Sequence, residues 1–447
     1  MLILPPQVHM ALDLLAGAGY EAFVVGGAVR DYVRDGRQGH DWDITTNALP
    51  AEVIQVFHGF HVIETGLKHG TITVMIDHEP LEITTYRIDG EYTDHRRPDE
   101  VRFTRSLRED LARRDFTMNA LAYNPHVGIV DYHGGLDDIK HGLIRCVGEP
   151  DRRFQEDALR ILRALRFAAT FGMQVEPATA EAIHRNKELL RAIAVERIQV
   201  ELTKLLCGTD AGNVLHDYND VMAVIMPEIV PMFGFEQKNP HHDKDVWNHT
   251  VAVVSAAPAD PVLRWSALLH DIGKPHCFTL DENGIGHFYH HASISTDLAE
   301  QILKRLRFDN VSAERITLLV KNHDTPLPAE KKGVKRLMNR LGPDAVLQLI
   351  EIHRADTAGQ HPSCFCRYEE FQCTETLVRE IIAEDACFSI RDLAINGNHL
   401  IAMGFKGKVI GEILQSCLDA VIDERIENTP ASLTEYVALH YTPTHQS

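Results

Sequence analysis

Apolar positions follow two different periods along this chain. In the first 147 residues, short β-like runs alternate with helical stretches; beyond that, the period is helical almost throughout. Val8, Ala11, Leu12, Leu14 and Leu15 share one helical face, and residues 1–20 are expected to form an opening helix; with Pro5-Pro6 and no basic start, they do not read as a cleaved leader. Glu21–Val25 reads as a strand. It breaks at Gly26-Gly27 and passes into AVRDYVRD, where Val29, Tyr32 and Val33 lie on one helical face. A helix is expected over 49–57, with Pro50 in its first turn. TITVMI (71–76) and LEITTYR (81–87), joined by Asp77–Pro80, predict a hairpin. Residues 89–108 are polar and charged and predict a mobile loop. Over 110–124, Arg113, Arg114, Asp115 and Asn119 are expected close together on a helix turn, and 128–147 is turn-rich.

From 148 to 172 one amphipathic helix is expected, its Leu159, Ile161, Leu162, Leu165 and Phe167 interleaved with Arg160, Arg163 and Arg166. Another is expected over 195–206, carrying Glu196, Arg197, Glu201 and Lys204, as a brace for the first. Pro227, Pro231 and the 234–240 stretch mark a boundary; 330–447 reads as mostly helical, ending in a disordered TPTHQS. The expected fold is α+β: an N-terminal α/β head with a small mixed sheet, then all-helical regions. The expected divisions are 1–147, 148–237, 238–360 and 361–447.

Composition narrows the function. The 447 residues are 44% hydrophobic and 24% charged, ordinary for a globular chain of two to four domains. No run approaches 18 apolar residues, so no membrane span is expected. Eight cysteines without a C-x-x-C pair read as reduced thiols of a cytoplasmic protein; Cys364 and Cys366 are poorly spaced for zinc. A net charge of −19 excludes indiscriminate nucleic-acid binding, so an RNA partner would need local basic patches. Arginines 145, 152, 153, 160, 163 and 166 form one candidate patch or nucleotide cradle. Lys331, Lys332, Lys335, Arg336 and Arg340 form another, read either as an RNA contact or as a solvated face.

The candidate chemistry begins at VVGGAVRDYVRDGRQGHDWDITT. A strand–Gly26-Gly27–helix turn lets backbone N–H groups approach a phosphate. Asp41 and Asp43, two apart in an extended run, project to one side and can hold one or two Mg²⁺ ions against a triphosphate, activating a hydroxyl nucleophile and neutralising the leaving pyrophosphate. Glu82 is either a third carboxylate near those ions or an ordinary strand residue. Arg113, Arg114, Asp115 and Asn119 read either as a surface ion-pair helix or as a nucleotide contact, in which arginine can pair with phosphate oxygens while Asp115 and Asn119 can reach sugar hydroxyls. Asp157 and Arg160, three apart, form either an ordinary i, i+3 salt bridge or an acceptor beside a donor, able to read a cytosine or adenine edge without a nucleic-acid template.

GGAVRD followed by HDWDITT resembles the signature of class II tRNA nucleotidyltransferases, the CCA-adding enzymes, with bacterial poly(A) polymerases as close relatives. The resemblance extends to RRDFTMNA (113–120), to Glu156-Asp157-Ala-Leu-Arg160 and to the neck-like VERIQVELTKLL. It implies that Gly26, Gly27, Arg30, Arg114, Asp115, Asn119, Asp157, Arg160, Arg163 and Arg166 bind the incoming nucleotide. Within that set Asp157 and Arg160 serve as a protein template, oriented by Glu156. Tyr92, Asp94, His95, Arg96, Arg97 and Pro98 match a flexible loop that helps the active site switch to the final nucleotide. The implied activity is addition of CCA to tRNA 3′ ends from CTP and ATP, with no obligate protein partner. An A-adding enzyme or a poly(A) polymerase would use the same chemistry.

A second constellation, WNHT, LLHDIGKP, FYHHASIS, KNHD and HRADTAG, resembles an HD domain within 238–360. His249, His270, Asp271 and Asp356 are the candidate ligands of a divalent transition metal. His291 and His323 could extend the site toward a second metal or a phosphate, and Lys274 could offset phosphate charge. The implied activity is metal-assisted phosphoester hydrolysis, for example at 2′,3′-cyclic phosphate ends. A chain working mainly as an HD phosphohydrolase with an RNA-binding head is the alternative from another class. Residues 361–447 read as a tRNA-facing tail.

Overall fold

The computed structural model describes residues 2–39, 42–90 and 101–442. Asp41 and the loop residues Tyr92, Asp94, His95, Arg96, Arg97 and Pro98 lie outside the described residues, as do the last five positions. The chain divides into two compact units, Met1–Pro227 and Glu228–Ser447.

Unit 1 is built on a seven-stranded sheet. Its strands are β1 (Ala22–Val25), β2 (Asp43–Thr46), β3 (His61–Ile63), β4 (Thr71–Ile76), β5 (Glu79–Thr85), β8 (Leu121–Asn124) and β9 (Gly128–Asp131). Their spatial order is β3-β4-β5-β2-β1-β8-β9. Only β2 and β5 run parallel; the β4–β5 hairpin and every other neighbouring pair are antiparallel. β1 shows why its run is apolar on both sides. Ala22 and Val24 join the core with α1 (Pro6–Gly17), α2 (Gly27–Asp35) and α3 (Pro50–Val56), while Phe23 and Val25 pack with Leu107 and Leu111 of α4 (Leu107–Ala112) on the opposite face. The flanks of the expected 89–108 loop are themselves paired: β6 (Arg87–Asp89) and β7 (Val101–Phe103) form an antiparallel ladder. α5 (Gly135–His141) closes the head.

Two helical expectations need correction. Arg113, Arg114, Asp115 and Asn119 do not share a helix turn: α4 stops at Ala112, and a single 3₁₀ turn over Thr117–Asn119 leads into β8. The 148–172 segment is two helices, α6 (Pro150–Glu156) and α7 (Leu159–Phe171). Asp157 is extended at φ −140°, ψ 102°, and its carboxylate accepts from Leu159 N at 3.1 Å. A short acidic side chain competes with the helix for backbone donors, so it ends one helix and starts the next.

α8 (Pro177–Asn186), α9 (Val195–Leu206), α10 (Ala211–Asp217) and α11 (Asn219–Ile225) complete unit 1, with α9 packed along α7. The region is not wholly helical, because β10 (Leu143–Ile144) pairs with β11 (Gln174–Val175). Unit 2 holds α12 (Val246–Ala256), α13 (Pro261–Leu269), α14 (His291–Arg305), α15 (Asn310–Asn322), α16 (Lys331–Leu341), α17 (Pro343–Gly359) and α18 (Arg367–Ala383). A small hairpin, β12 (Thr279–Leu280) and β13 (Gly286–His287), lies between α13 and α14. The final α19 (Gly397–Ala402), α20 (Val409–Ile422) and α21 (Pro430–His440) share a separate apolar core.

Candidate functional site

The head site forms where β1, β2 and β5 meet. The parallel register sets Asp43 opposite Glu82, and the antiparallel register sets it opposite Val25. Paired residues share a face, so both carboxylates stand on the side that packs α4. Asp43 and Glu82 are exposed; Gly26 follows β1 with φ +76° and ψ −137°, a backbone conformation open essentially to glycine alone. A Cβ on Gly26 would lie 3.6 Å from both Arg114 Nη1 and Asp43 Oδ2. The small side chain therefore leaves a niche with a carboxylate on one wall and a guanidinium on the other. Gly27 opens α2.

The geometry identifies a residue that the sequence reading passed over. Asp110 is fully buried and accepts from Thr45 Oγ1 at 3.1 Å, Arg87 N at 3.2 Å and Arg113 Nε and Nη2 at 3.0 and 2.9 Å. It also stands 3.8 Å from Arg114. One carboxylate thus fixes both arginines against the sheet. Its only sequence signal is a position three residues before Arg113, which local spacing cannot separate from a surface ion pair. Arg114 Nε is buried and has no hydrogen-bond partner among the described residues, a donor fit for an anion.

A chain of side chains crosses from α2 to α7. Arg30 Nη1 donates to Asn119 Oδ1 (2.8 Å), Asn119 Nδ2 donates to Asp115 Oδ1 (2.9 Å), and Arg163 donates to Asp115 Oδ2 through Nε (2.9 Å) and Nη2 (2.7 Å). Burial by itself would raise the Asp115 carboxyl; the Arg163 charge and the Asn119 bond outweigh it and hold it well below the usual range. Glu201 of α9 lies 2.9 Å from Arg166 and 3.9 Å from Arg163. Phe167 and Phe171 stack at 5.4 Å, with Arg34 3.7 Å over Phe171 and Arg166 4.1 Å over Phe167.

Arg160 N donates to Asp157 O at 3.0 Å, while the two side chains take other partners as well. Asp157 Oδ2 accepts from Arg197 Nη2 of α9 at 3.0 Å, while Arg160 Nη1 donates to Glu156 Oε2 at 2.8 Å. The six-arginine run is no bare positive surface either: Arg145 pairs with Asp138 and Glu176, Arg152 and Arg153 with Glu156, and the others as above. In unit 2, Lys331 pairs with Glu384, and Lys332 and Arg336 with Asp423.

The second constellation assembles inside unit 2. α12 brings His249, the C-terminal end of α13 brings His270 and Asp271, and α17 brings Asp356. His249 Nε2 lies 3.0 Å from Asp356 Oδ1 and 3.4 Å from Asp271 Oδ2, and His270 Nε2 lies 3.1 Å from the same Asp271 oxygen. His249, His270 and Asp271 could hold an ion between them. Burial would raise both carboxyls, but the surrounding imidazoles, with Lys274 beside Asp271, keep them well below the usual range; the same carboxylates push His249 up to about 9 against the effect of burial. The pocket over these groups encloses about 410 Å³, with Arg367 and Tyr289 at its walls.

Three family models match the chain: the Poly A polymerase head domain over residues 22–145, "Probable RNA and SrmB- binding site of polymerase A" over 172–232, and tRNA nucleotidyltransferase domain 2 over 278–437. A CCA-adding enzyme of Lactobacillus helveticus is 34% identical over 433 residues, 95% of each chain. Another, from Lactobacillus johnsonii, is 32% identical over 98% of this chain and 99% of its own. Among solved structures, the Bacillus stearothermophilus CCA-adding enzyme in complex with CTP superposes with a TM-score of 0.71 at 27% identity, covering 98% of this chain and 99% of that one. The Thermotoga maritima CCA-adding enzyme complexed with tRNA shares the fold at a TM-score of 0.58 and 19% identity, covering 98% and 97%.

Proposed function

This chain belongs to the family of CCA-adding enzymes, and from that premise we propose how its residues serve the addition of C, C and A to tRNA 3′ ends from CTP and ATP with release of pyrophosphate. Asp41 and Asp43 hold Mg²⁺, with Glu82 alongside. Bound there, the ion supplies polarisation of the attacking hydroxyl and neutralisation of phosphate charge. The Gly26–Gly27 turn and Arg114 receive the triphosphate, and the buried unpaired Nε of Arg114 supports that role. Asp115 and Asn119 read the ribose; Arg30 orients Asn119 and Arg163 orients Asp115. A carboxylate accepting from a 2′-OH favours ribonucleotides over deoxyribonucleotides. Asp157 and Arg160 read the base edge. Asp157 is set by Arg197 and Arg160 by Glu156, so each is aimed independently by its own partner. Arg166 steadies this wall through Glu201.

In this reading residues 1–147 are the catalytic head, 148–237 the neck and body carrying the base-reading wall, 238–360 an HD domain and 361–447 a tRNA-facing tail. No helix among the described residues is long and apolar enough to cross a membrane. All eight cysteines are free, which supports a reducing cytoplasmic setting.

One observation favours a second activity: the buried His249–His270–Asp271 group, with Asp356 3.0 Å from His249. These four residues would hold a divalent transition metal for phosphoester hydrolysis.

The observation that carries the main reading is Asp43 standing opposite Glu82 with Arg114 across the Gly26 niche. The test is nucleotide incorporation on tRNA transcripts ending before CCA, after C and after CC, for the wild type and for Asp43→Ala. Growth of all three to one CCA end, abolished in the variant, is expected. Incorporation surviving in Asp43→Ala would sink the catalytic assignment. Adenylation of the CC-ended transcript alone would mark an A-adding enzyme, and long A tails a poly(A) polymerase.

A further inference from the structure

α2 follows the phosphate turn and α7 carries part of the base-reading wall, and the two helices meet through flat faces. Arg30 donates to Asp31 at 2.9 and 3.1 Å and to Asn119 at 2.8 Å. Arg34 donates to Asp35 at 2.9 Å and lies 3.8 Å from Asp31. Among the described residues, no side-chain hydrogen bond or ion pair of either arginine reaches α7. What α7 presents to them is Phe167 and Phe171, one turn apart, with ring centroids 5.4 Å apart and planes 20° from parallel. Arg34 sits 3.7 Å over Phe171, and Arg30 lies 4.9 Å from Phe171 and 5.0 Å from Phe167. Arg34 and Phe171 are both partly buried, and Arg34 Nη1 is shielded from solvent without a hydrogen bond.

The two kinds of contact on α7 differ in stiffness. Arg163 donates to Asp115 through Nε at 2.9 Å and Nη2 at 2.7 Å, and such bonds weaken steeply outside a narrow range of length and angle. A guanidinium over a ring is attracted wherever it stays within about 6 Å of the centroid, which leaves Arg30 and Arg34 about 1 Å of travel. α7 is therefore pinned at Arg163 and compliant at Phe171, its last residue before Gly172 ends the helix at φ +63°. Phe171 stands about 12 Å along the axis from that pin, and Arg160 about 4.5 Å on the other side. A movement of about 1 Å at Phe171 then shifts Arg160 by about 0.4 Å, comparable to the whole range of a good hydrogen-bond length. α9 packs along α7 and its Arg197 holds Asp157, so Asp157 follows the same tilt. The bases to be read demand such compliance: a purine holds its pairing edge further from its ribose than a pyrimidine does.

We infer that Arg34 and Phe171 are positioning residues for base selection. Their stack sets the tilt of α7 about Arg163, and so the register of Asp157 and Arg160 against the phosphate turn, with enough slack to admit both a pyrimidine and a purine. The inference rests on reading Gly26, Gly27 and Arg114 as the phosphate site and Asp157 and Arg160 as the base reader. The competing role is a plain brace, in which the rings only hold α2 against α7; its loss would weaken every nucleotide alike.

The test compares the full-length wild type with Phe171→Leu, Phe171→Tyr, Arg34→Gln and the Phe171→Leu/Arg34→Gln double variant, with thermal melting to confirm folding. Leucine keeps the apolar bulk and loses the π face, whereas tyrosine keeps the face. For each chain, kcat/KM is measured for ATP and for CTP on the CC-ended transcript, and for CTP on the transcript ending before CCA. The ATP-to-CTP ratio on the CC-ended transcript is expected to fall about fivefold in Phe171→Leu and in Arg34→Gln. It should fall no further in the double variant, because one contact is lost in all three. Phe171→Tyr should stay within about twofold of the wild type. A ratio unchanged in Phe171→Leu, or an equal loss for both nucleotides, overturns the inference and leaves a brace. A ratio that tyrosine does not keep, or effects that add in the double variant, overturns it as well. In each of those cases a wild type that completes CCA leaves the underlying reading of the site standing; a wild type that incorporates neither nucleotide on either transcript overturns that reading and this inference together.

Discussion

Asp110→Ala is the most informative perturbation of the head, because Asp110 is itself assigned no contact with substrate and acts only through the residues it holds. It removes the acceptor shared by Thr45 Oγ1, Arg87 N and Arg113, and a carboxylate 3.8 Å from Arg114. Thr45 retains its bond to Thr84 O at 3.2 Å, so the loss falls mainly on the two guanidiniums. Removing one partner of a buried ion pair costs about 3–5 kcal/mol. The Arg113 and Arg114 side chains keep 17% and 18% of their exposure, so water softens the loss toward the lower end, about 3 kcal/mol. Unit 1 runs from Met1 to Pro227, a size at which each kcal/mol shifts melting by about 2–4 °C, so its transition should fall by roughly 6–12 °C. Asp110→Asn keeps the shape and loses the charge, and should cost about 1–2 kcal/mol. Calorimetric melting of the full chain measures the stability term. Steady-state CTP incorporation at a permissive temperature should show a raised nucleotide KM, since Arg114 is no longer held. A melting shift under about 2 °C for Asp110→Ala would refute the reasoning that this carboxylate organises the site.

Three further outcomes are expected. Gly26→Ala forces a Cβ onto a φ of +76° and into the niche between Arg114 and Asp43; the nucleotide KM should rise at least about tenfold, and an unchanged KM would remove Gly26 from the phosphate site. Arg197→Ala releases Asp157, so misincorporation of C on CC-ended transcripts should increase several-fold; unaltered selectivity would mean that Asp157 needs no orienting partner. Asp115 has a lowered native pKa, so its contribution is present above the unfolded value of about 3.9 and is lost as pH falls through the lower native value. The stability difference between wild type and Asp115→Asn should therefore stay constant from about pH 8 to 5 and narrow below about pH 4; a difference that vanishes near neutrality would contradict the Arg163 pairing.

What the sequence determined by itself is the local grammar. Period-two and period-3.6 runs, the Gly26-Gly27 break and proline positions marked most of the elements, because those signals depend on backbone geometry within a few residues. The residue types of the two sites were legible for the same reason: carboxylates, arginines and histidines stand out as motifs before any contact is known. Tertiary structure decided the pairing. Asp43 meets Glu82 only because β2 and β5 lie parallel, a register that no local pattern encodes. Asp157 and Arg160 looked like helix neighbours until the break at Asp157 gave one to Arg197 and the other to Glu156. Asp110 carried no local signal of its own, and only the packing of α4 onto the sheet buries it. Asp271 turns one oxygen to His270 and the other to His291 because α13, α14 and α15 converge there. Short-range rules fix which residues share a face of one element; which faces meet, and so which charges neutralise one another, is settled by packing between elements distant in sequence.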